Sequence, residues 1–126
     1  MYKVSHFELP AANMDRAAKF YAKVFGWKVN KWDTSYYLVS TAKTDKRGMI
    51  QEKGAINGGV YKRGAAKVPV IVLTVPSIRA VLKQVVRAGG RVAMRKVKIE
   101  SMLYYARVRD SEGNIIGLAE IIKKGK

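Results

Sequence analysis

The apolar positions of this chain follow two periods, and the same succession of periods runs twice. Residues 4–9 read as a short strand that ends at Pro10, with Asn13 placed to cap a helix and Asp15 in its first turn, where the helix dipole favours a carboxylate. Ala17, Phe20, Tyr21, Val24 and Phe25 then recur at three- and four-residue spacing, which predicts an apolar helical face, and Gly26 supplies the stop. Short strands are predicted over 28–32, over 35–42 with its Tyr-Tyr-Leu-Val centre, and over 56–62. The polar stretch 43–54 is the loop between the last two.

The second pass repeats that order. Residues 68–75 form an apolar, β-branched run ending at Pro76, which stands 66 residues after Pro10. Ser77 is placed to cap a helix carrying Ile78, Val81, Leu82, Val85 and Val86, and Gly89-Gly90 end it. Strands are expected over 91–99, 103–109 and 114–122, the last two joined by the turn 110–114. The pattern βαβββ-βαβββ predicts one α+β domain over 1–126, built of a module over about 1–63, a module over about 67–123, and a basic tail at 123–126.

Composition narrows the setting. An apolar fraction of 48% suits a globular core, and no apolar run reaches the roughly 18–20 residues that span a bilayer. The N-terminus lacks the apolar core of a signal peptide, so a cytoplasmic protein away from membranes is expected. Without cysteine there are no disulfides, thiol nucleophiles or thiolate metal sites. Twenty-five Lys and Arg against nine Asp and Glu give a net charge of +16, which disfavours cationic ligands and attracts anions. The charge is patterned. Arg16, Lys19 and Lys23 share one helix face, as do Arg79, Lys83 and Arg87 on the second helix, while Arg91, Arg95, Lys96 and Lys98 lie on a strand and Lys123, Lys124 and Lys126 in the tail. These stripes are candidate anion-binding surfaces, and a nucleic-acid or polyanion partner is one reading of them, although no recognised nucleic-acid motif is present.

His6 is the only histidine. The segments His6-Phe7-Glu8-Leu9-Pro10, Arg16-Ala17, Phe20-Tyr21, Val24-Phe25-Gly26-Trp27, Ile56-Asn57-Gly58-Gly59, Ala88-Gly89-Gly90 and Asp110-Ser111-Glu112-Gly113-Asn114-Ile115-Ile116-Gly117-Leu118 together cover nearly the whole chain. In them the sequence resembles the glyoxalase / bleomycin-resistance / extradiol-dioxygenase (vicinal oxygen chelate) superfamily, in its lactoylglutathione lyase-related branch. The resemblance implies two βαβββ modules forming a cupped mixed sheet around a central pocket with helices on the outer face, and a homodimer. It also implies four metal-ligand positions, which fall on His6, about Gly59, Val72 and Gly117. Only His6 can bind a metal. Strand alternation adds Glu8 to its face and puts Glu120 on the face opposite Gly117.

No metal or other cofactor is therefore expected, a divalent metal being the competing reading. His6 and Glu8 are the candidate catalytic pair, the histidine as general base and the carboxylate fixing its tautomer. His6, Glu8, Asn57, Gly59, Val72, Thr74 and Gly117 are the candidate ligand pocket, the glycines leaving space in it. One tyrosine of each adjacent pair, Tyr36/Tyr37 and Tyr104/Tyr105, is expected to face that pocket. The leading expectation is a small-molecule-binding, glyoxalase-like protein with an anionic or neutral ligand, whether or not it catalyses a reaction. A metal-dependent lyase, isomerase or dioxygenase and a polyanion binder are the alternatives.

Overall fold

The computed structural model describes residues 1–47 and 49–123, so Lys124 and Lys126 of the basic tail lie outside the described residues. Among the described residues, eight strands and two helices make an α+β fold in the expected βαβββ-βαβββ order. The chain divides into two compact units, one of His6–Pro69 and one of Met1–Ser5 together with the chain from Val70 on.

In the His6–Pro69 unit, β1 (Val4–Ala11) leads to α1 (Met14–Phe25), followed by β2 (Lys28–Lys31), β3 (Tyr36–Ser40) and β4 (Asn57–Lys62). The strand order is β2-β3-β4-β1, with β4 parallel to β1 and antiparallel to β3. β1 does not end at Pro10 but runs on to Ala11. The Ala11 carbonyl takes the Arg63 amide at 2.9 Å, so the backbone at Pro10 is turned to the other side and its missing N–H costs this pairing nothing. The local chemistry at the helix ends is as expected: Asn13 accepts from the Arg16 amide at 2.9 Å, and Gly26 takes the left-handed conformation at φ 74°.

The apolar face of α1 is shifted from the expected one. Met14 and Ala18 are buried, Ala17 and Tyr21 pack beside them, and Phe20, Val24 and Phe25 stand exposed. A stripe at helical spacing is wider than the contact it makes, and the small alanines are what let the helix approach the sheet. The first turn of α1 is also tied by charge. Asp15 Oδ1 accepts from the Tyr37 hydroxyl at 2.7 Å and lies 3.0 Å from Lys31 Nζ.

The second unit repeats the arrangement with β5 (Val70–Thr74), α2 (Ile78–Arg87), β6 (Arg91–Ile99), β7 (Leu103–Arg109) and β8 (Ile115–Ile121), in strand order β5-β8-β7-β6. Its core joins Val75, Ile78 and Val81 to Ala106, Val108 and Leu118. Val86, expected on the apolar face of α2, is exposed. Ser77 caps α2 as expected, whereas its C-cap is Ala88, and Gly89 carries the positive φ one residue later. The start of β1 enters this unit through Ser5, whose hydroxyl lies 2.6 Å from that of Thr74. β6 is exposed along its whole length. Its register shifts and its four Lys and Arg side chains blunt an edge that would otherwise pair with other strands.

α2 lacks an acidic residue in its first turn, and β8 supplies one. Glu120 Oε1 accepts from the Ile78 amide at 2.8 Å and is 3.5 Å from Lys96 Nζ, which itself sits 4.1 Å from the Tyr104 ring centroid. Glu120→Ala is expected to cost about 1–2 kcal/mol, read as a lower urea midpoint at unchanged slope, and Glu120→Gln, which keeps an acceptor, about half of that.

Candidate functional site

The face of the first unit away from α1 is set by strand alternation. Phe7 packs toward α1, so His6 and Glu8 point the other way. Register places Asn57 beside His6 and Gly59 beside Glu8 on β4, while Leu38 of β3 stands opposite Gly59 and Tyr36 opposite Tyr61. From that diagonal position the Tyr36 ring crosses Gly59 and brings its hydroxyl to 2.8 Å from His6 Nε2. A Cβ on Gly59 would meet the Tyr36 ring and hydroxyl, so the glycine is what lets the tyrosine reach across β4. The space expected above Gly59 is thus filled by a neighbouring ring.

The second unit carries the same device. Gly117 of β8 stands opposite Arg107 of β7, and Tyr105, two residues before Arg107, lies over the glycine. A Cβ on Gly117 would come 2.8 Å from the Tyr105 hydroxyl and 3.0 Å from Val72 Cγ2. Arg107 Nε donates to that hydroxyl at 2.8 Å. Tyr36 and Tyr105 are therefore equivalent residues of the two repeats, each crossing a glycine toward the first strand of its own unit. Tyr37 and Tyr104 turn to the helix sides, as alternation requires.

Electrostatics favour a neutral imidazole. Burial lowers the His6 pKa from 6.5, and the nearby Glu8 carboxylate opposes the shift without cancelling it. Glu8 is only 5% exposed. The neutral ring and the Tyr36 phenol form a pair in which either group donates, depending on the tautomer. Because the folded state holds the neutral form more strongly than the unfolded chain does, the unfolded state takes up its proton first as pH falls. Stability is therefore expected to decline as pH drops below about 6.5 toward the lowered folded pKa. His6→Gln should remove that part of the profile in thermal melts between pH 7.5 and 5.

The remaining candidate residues have assigned neighbours. The Asn57 carboxamide oxygen accepts from the Thr41 amide at 2.9 Å, which closes the loop entering β4, and Thr74 pairs with Ser5. Val72 is buried with Val70 and Ala119. Glu120 lies on the α2 side, opposite Gly117, as alternation predicted. Arg16, Lys19, Lys23, Arg79, Lys83 and Arg87 are all exposed. Sequence reasoning expected one of Tyr36 and Tyr37 to face the pocket and did not choose between them. The register of β3 on β4, which sets Tyr36 one step diagonal to Gly59, makes the choice.

His6 is thus the one imidazole on its face, its Nε2 engaged by a phenol. No group of three or more His, Asp or Glu side chains suited to a metal occurs among the described residues. Nor is any helix among them long and apolar enough to cross a membrane.

The chain belongs to the glyoxalase/bleomycin resistance protein/dioxygenase superfamily, whose family model matches residues 3–118. Among solved structures it is similar to a methylmalonyl-CoA epimerase in complex with methylmalonyl-CoA and NH4+, at 14% identity and a TM-score of 0.69 over 99% of each chain. It is similar to the Mycobacterium tuberculosis methylmalonyl-CoA epimerase at 13% identity and a TM-score of 0.67, over 95% of this chain and 88% of that one. The Mn(II)-bound glyoxalase from Novosphingobium aromaticivorans shares 18% identity at a TM-score of 0.63, over 99% of this chain and 42% of that one. No curated protein matches the sequence. These likenesses establish the fold.

Proposed function

We propose that this protein binds a small anionic or neutral molecule on the face that carries His6 and Tyr36, and that it does so without the divalent metal of its relatives. The observation that carries the reading is the Tyr36 ring over Gly59 with its hydroxyl on His6 Nε2. At the four positions where the family pattern calls for ligands, this chain offers one imidazole, two glycines and a valine. That donor set does not fit a divalent ion, which needs three or more protein groups. A neutral imidazole bonded to a phenol keeps one free donor in either tautomer, the Nδ1–H or the phenol O–H, and this suits the oxygen of a carbonyl or carboxylate. The net charge of +16 supports an anion over a cation.

The test has two arms. Protein produced with Mn, Ni and Zn in the medium and then dialysed should retain metal far below one ion per chain, and its melting temperature should not respond to added metal. One ion per chain, lost in His6→Ala, would overturn the metal-free reading. A library of small carboxylates and carbonyl compounds, followed by the His6 ring signals in NMR, should yield ligands whose binding weakens in Tyr36→Phe. Ligands that leave the His6 signals unmoved would overturn the assignment of the face.

A further inference from the structure

A second place in the His6–Pro69 unit has the chemistry of a ligand site, and it takes no part in the reading above. An open groove of about 390 Å³ runs between the end of β1, the first turns of α1 and the residue that follows β4. Ala11, Ala12, Arg16, Phe20 and Arg63 are among the residues that line it. His6, Glu8 and Tyr36 are not among its lining residues.

Each wall residue is held there by an identifiable cause. Arg63 is fixed by the bond from its amide to the Ala11 carbonyl, which carries the chain from β4 alongside the end of β1. Arg16 and Phe20 are four apart on α1 and so lie on one face of it. Phe20 is 54% exposed although it belongs to an aromatic cluster, where its ring meets Tyr21 and Phe25 edge-on at centroid distances of 5.6 and 6.0 Å. A large ring exposed at one groove, with its orientation set by two neighbours, is a stacking surface.

The charge in the groove is one-sided. No acidic residue lines it, and the nearest acid on the helix, Asp15, is engaged by Tyr37 and Lys31. Among the described residues neither the Arg16 nor the Arg63 guanidinium makes an ion pair with an acid. Two guanidinium groups lining one groove, in a chain of net charge +16, favour an anion there. Guanidinium groups match phosphate oxygens in geometry, and the volume falls in the range of about 300–1,000 Å³ that holds small ligands.

We propose that this groove binds a phosphorylated ligand with a planar ring, of nucleotide type, its phosphates between Arg16 and Arg63 and its ring against Phe20. The free nucleotide is the source assigned here, since the groove holds one such unit. A nucleotide within a nucleic-acid strand shares the chemistry and is separated by the test.

ADP, ribose 5-phosphate and a single-stranded oligonucleotide are titrated calorimetrically against the full chain. ADP should bind saturably, and ribose 5-phosphate about tenfold more weakly for want of the ring. Arg16→Ala and Arg63→Ala should each weaken ADP about tenfold. Phe20→Leu should weaken ADP and leave ribose 5-phosphate unchanged. Lys53→Ala, in the loop before β4 and outside the groove, should change nothing. All four side chains are exposed, so the variants should keep the parent melting temperature. Absence of saturable ADP binding overturns the proposal. So does an equal loss in Lys53→Ala, which would mean diffuse attraction, and so does oligonucleotide binding that far exceeds ADP and weakens with every lysine removed. None of these results bears on the His6 face, which the carboxylate and carbonyl screen reads independently.

Discussion

Gly58→Ala is expected to lower the stability of the protein by about 2–3 kcal/mol. The residue is extended and not left-handed, and alanine in a strand would ordinarily be neutral or helpful, because it restricts the unfolded chain. Here a Cβ would come 2.5 Å from the Phe7 carbonyl oxygen and 2.6 Å from two carbons of the Phe7 ring. The ring is in turn wedged against Trp27 at a centroid distance of 5.6 Å. A side chain can swing aside, but the carbonyl belongs to β1, which is paired in register with β4, so relief requires moving a strand. Truncating Phe7 in the same molecule should therefore recover little of the loss. Gly64→Ala is the matching control, because a Cβ there meets nothing within 4 Å. Urea unfolding of the three variants decides the matter, and a Gly58→Ala midpoint equal to that of the parent would show that Phe7 does not close over β4 on this side.

The contrast between such positions shows how much of the molecule was legible in the sequence. Features that depend on a few consecutive residues could be read directly. Asn13 and Ser77 cap the helices, Gly26 ends the first, and the turn between β7 and β8 closes on Asp110, which accepts from the amides of Glu112 and Asn114. Alternation likewise put Glu8 on the face of His6, set Glu120 opposite Gly117 and divided each tyrosine pair between two faces, because a strand's side-chain period is fixed whatever its neighbours. What the sequence withheld depends on register between segments far apart in the chain. The Tyr36–His6 bond requires β3 to meet β4 with Leu38 opposite Gly59, and the long polar loop leading into β4 leaves that offset open in the sequence. Glu120 caps α2 from 42 residues away, a partnership without a local pattern. The exposure of Phe20, Val24 and Phe25 was hidden for a related reason: a helical stripe shows which residues share a face, and only the partner sheet decides which of them it covers.

Gly59→Ala tests that register and the candidate site together. The added methyl would overlap the Tyr36 ring and hydroxyl, and here the obstacle is the far end of a side chain. Tyr36 can leave, and in leaving it gives up its bond to His6 Nε2. The expected loss is about 2 kcal/mol, combining the hydrogen bond with the displaced packing of the ring. In a Tyr36→Ala background the three atoms closest to that methyl are gone, so its cost should fall sharply and the double-mutant cycle should show a coupling of about 1–2 kcal/mol. At Gly58 the corresponding cycle with Phe7→Ala should show little coupling, since the carbonyl remains. The chemical readout follows from the same movement. With Tyr36 displaced, water reaches the imidazole, the burial that lowers its pKa is relieved, and the NMR titration of His6 should move up toward 6.5 in Gly59→Ala. A methyl that costs as much in the Tyr36→Ala background as in the parent would place its clash elsewhere. It would then remove the ground for reading Gly59 as the opening through which a tyrosine reaches the one histidine of this chain.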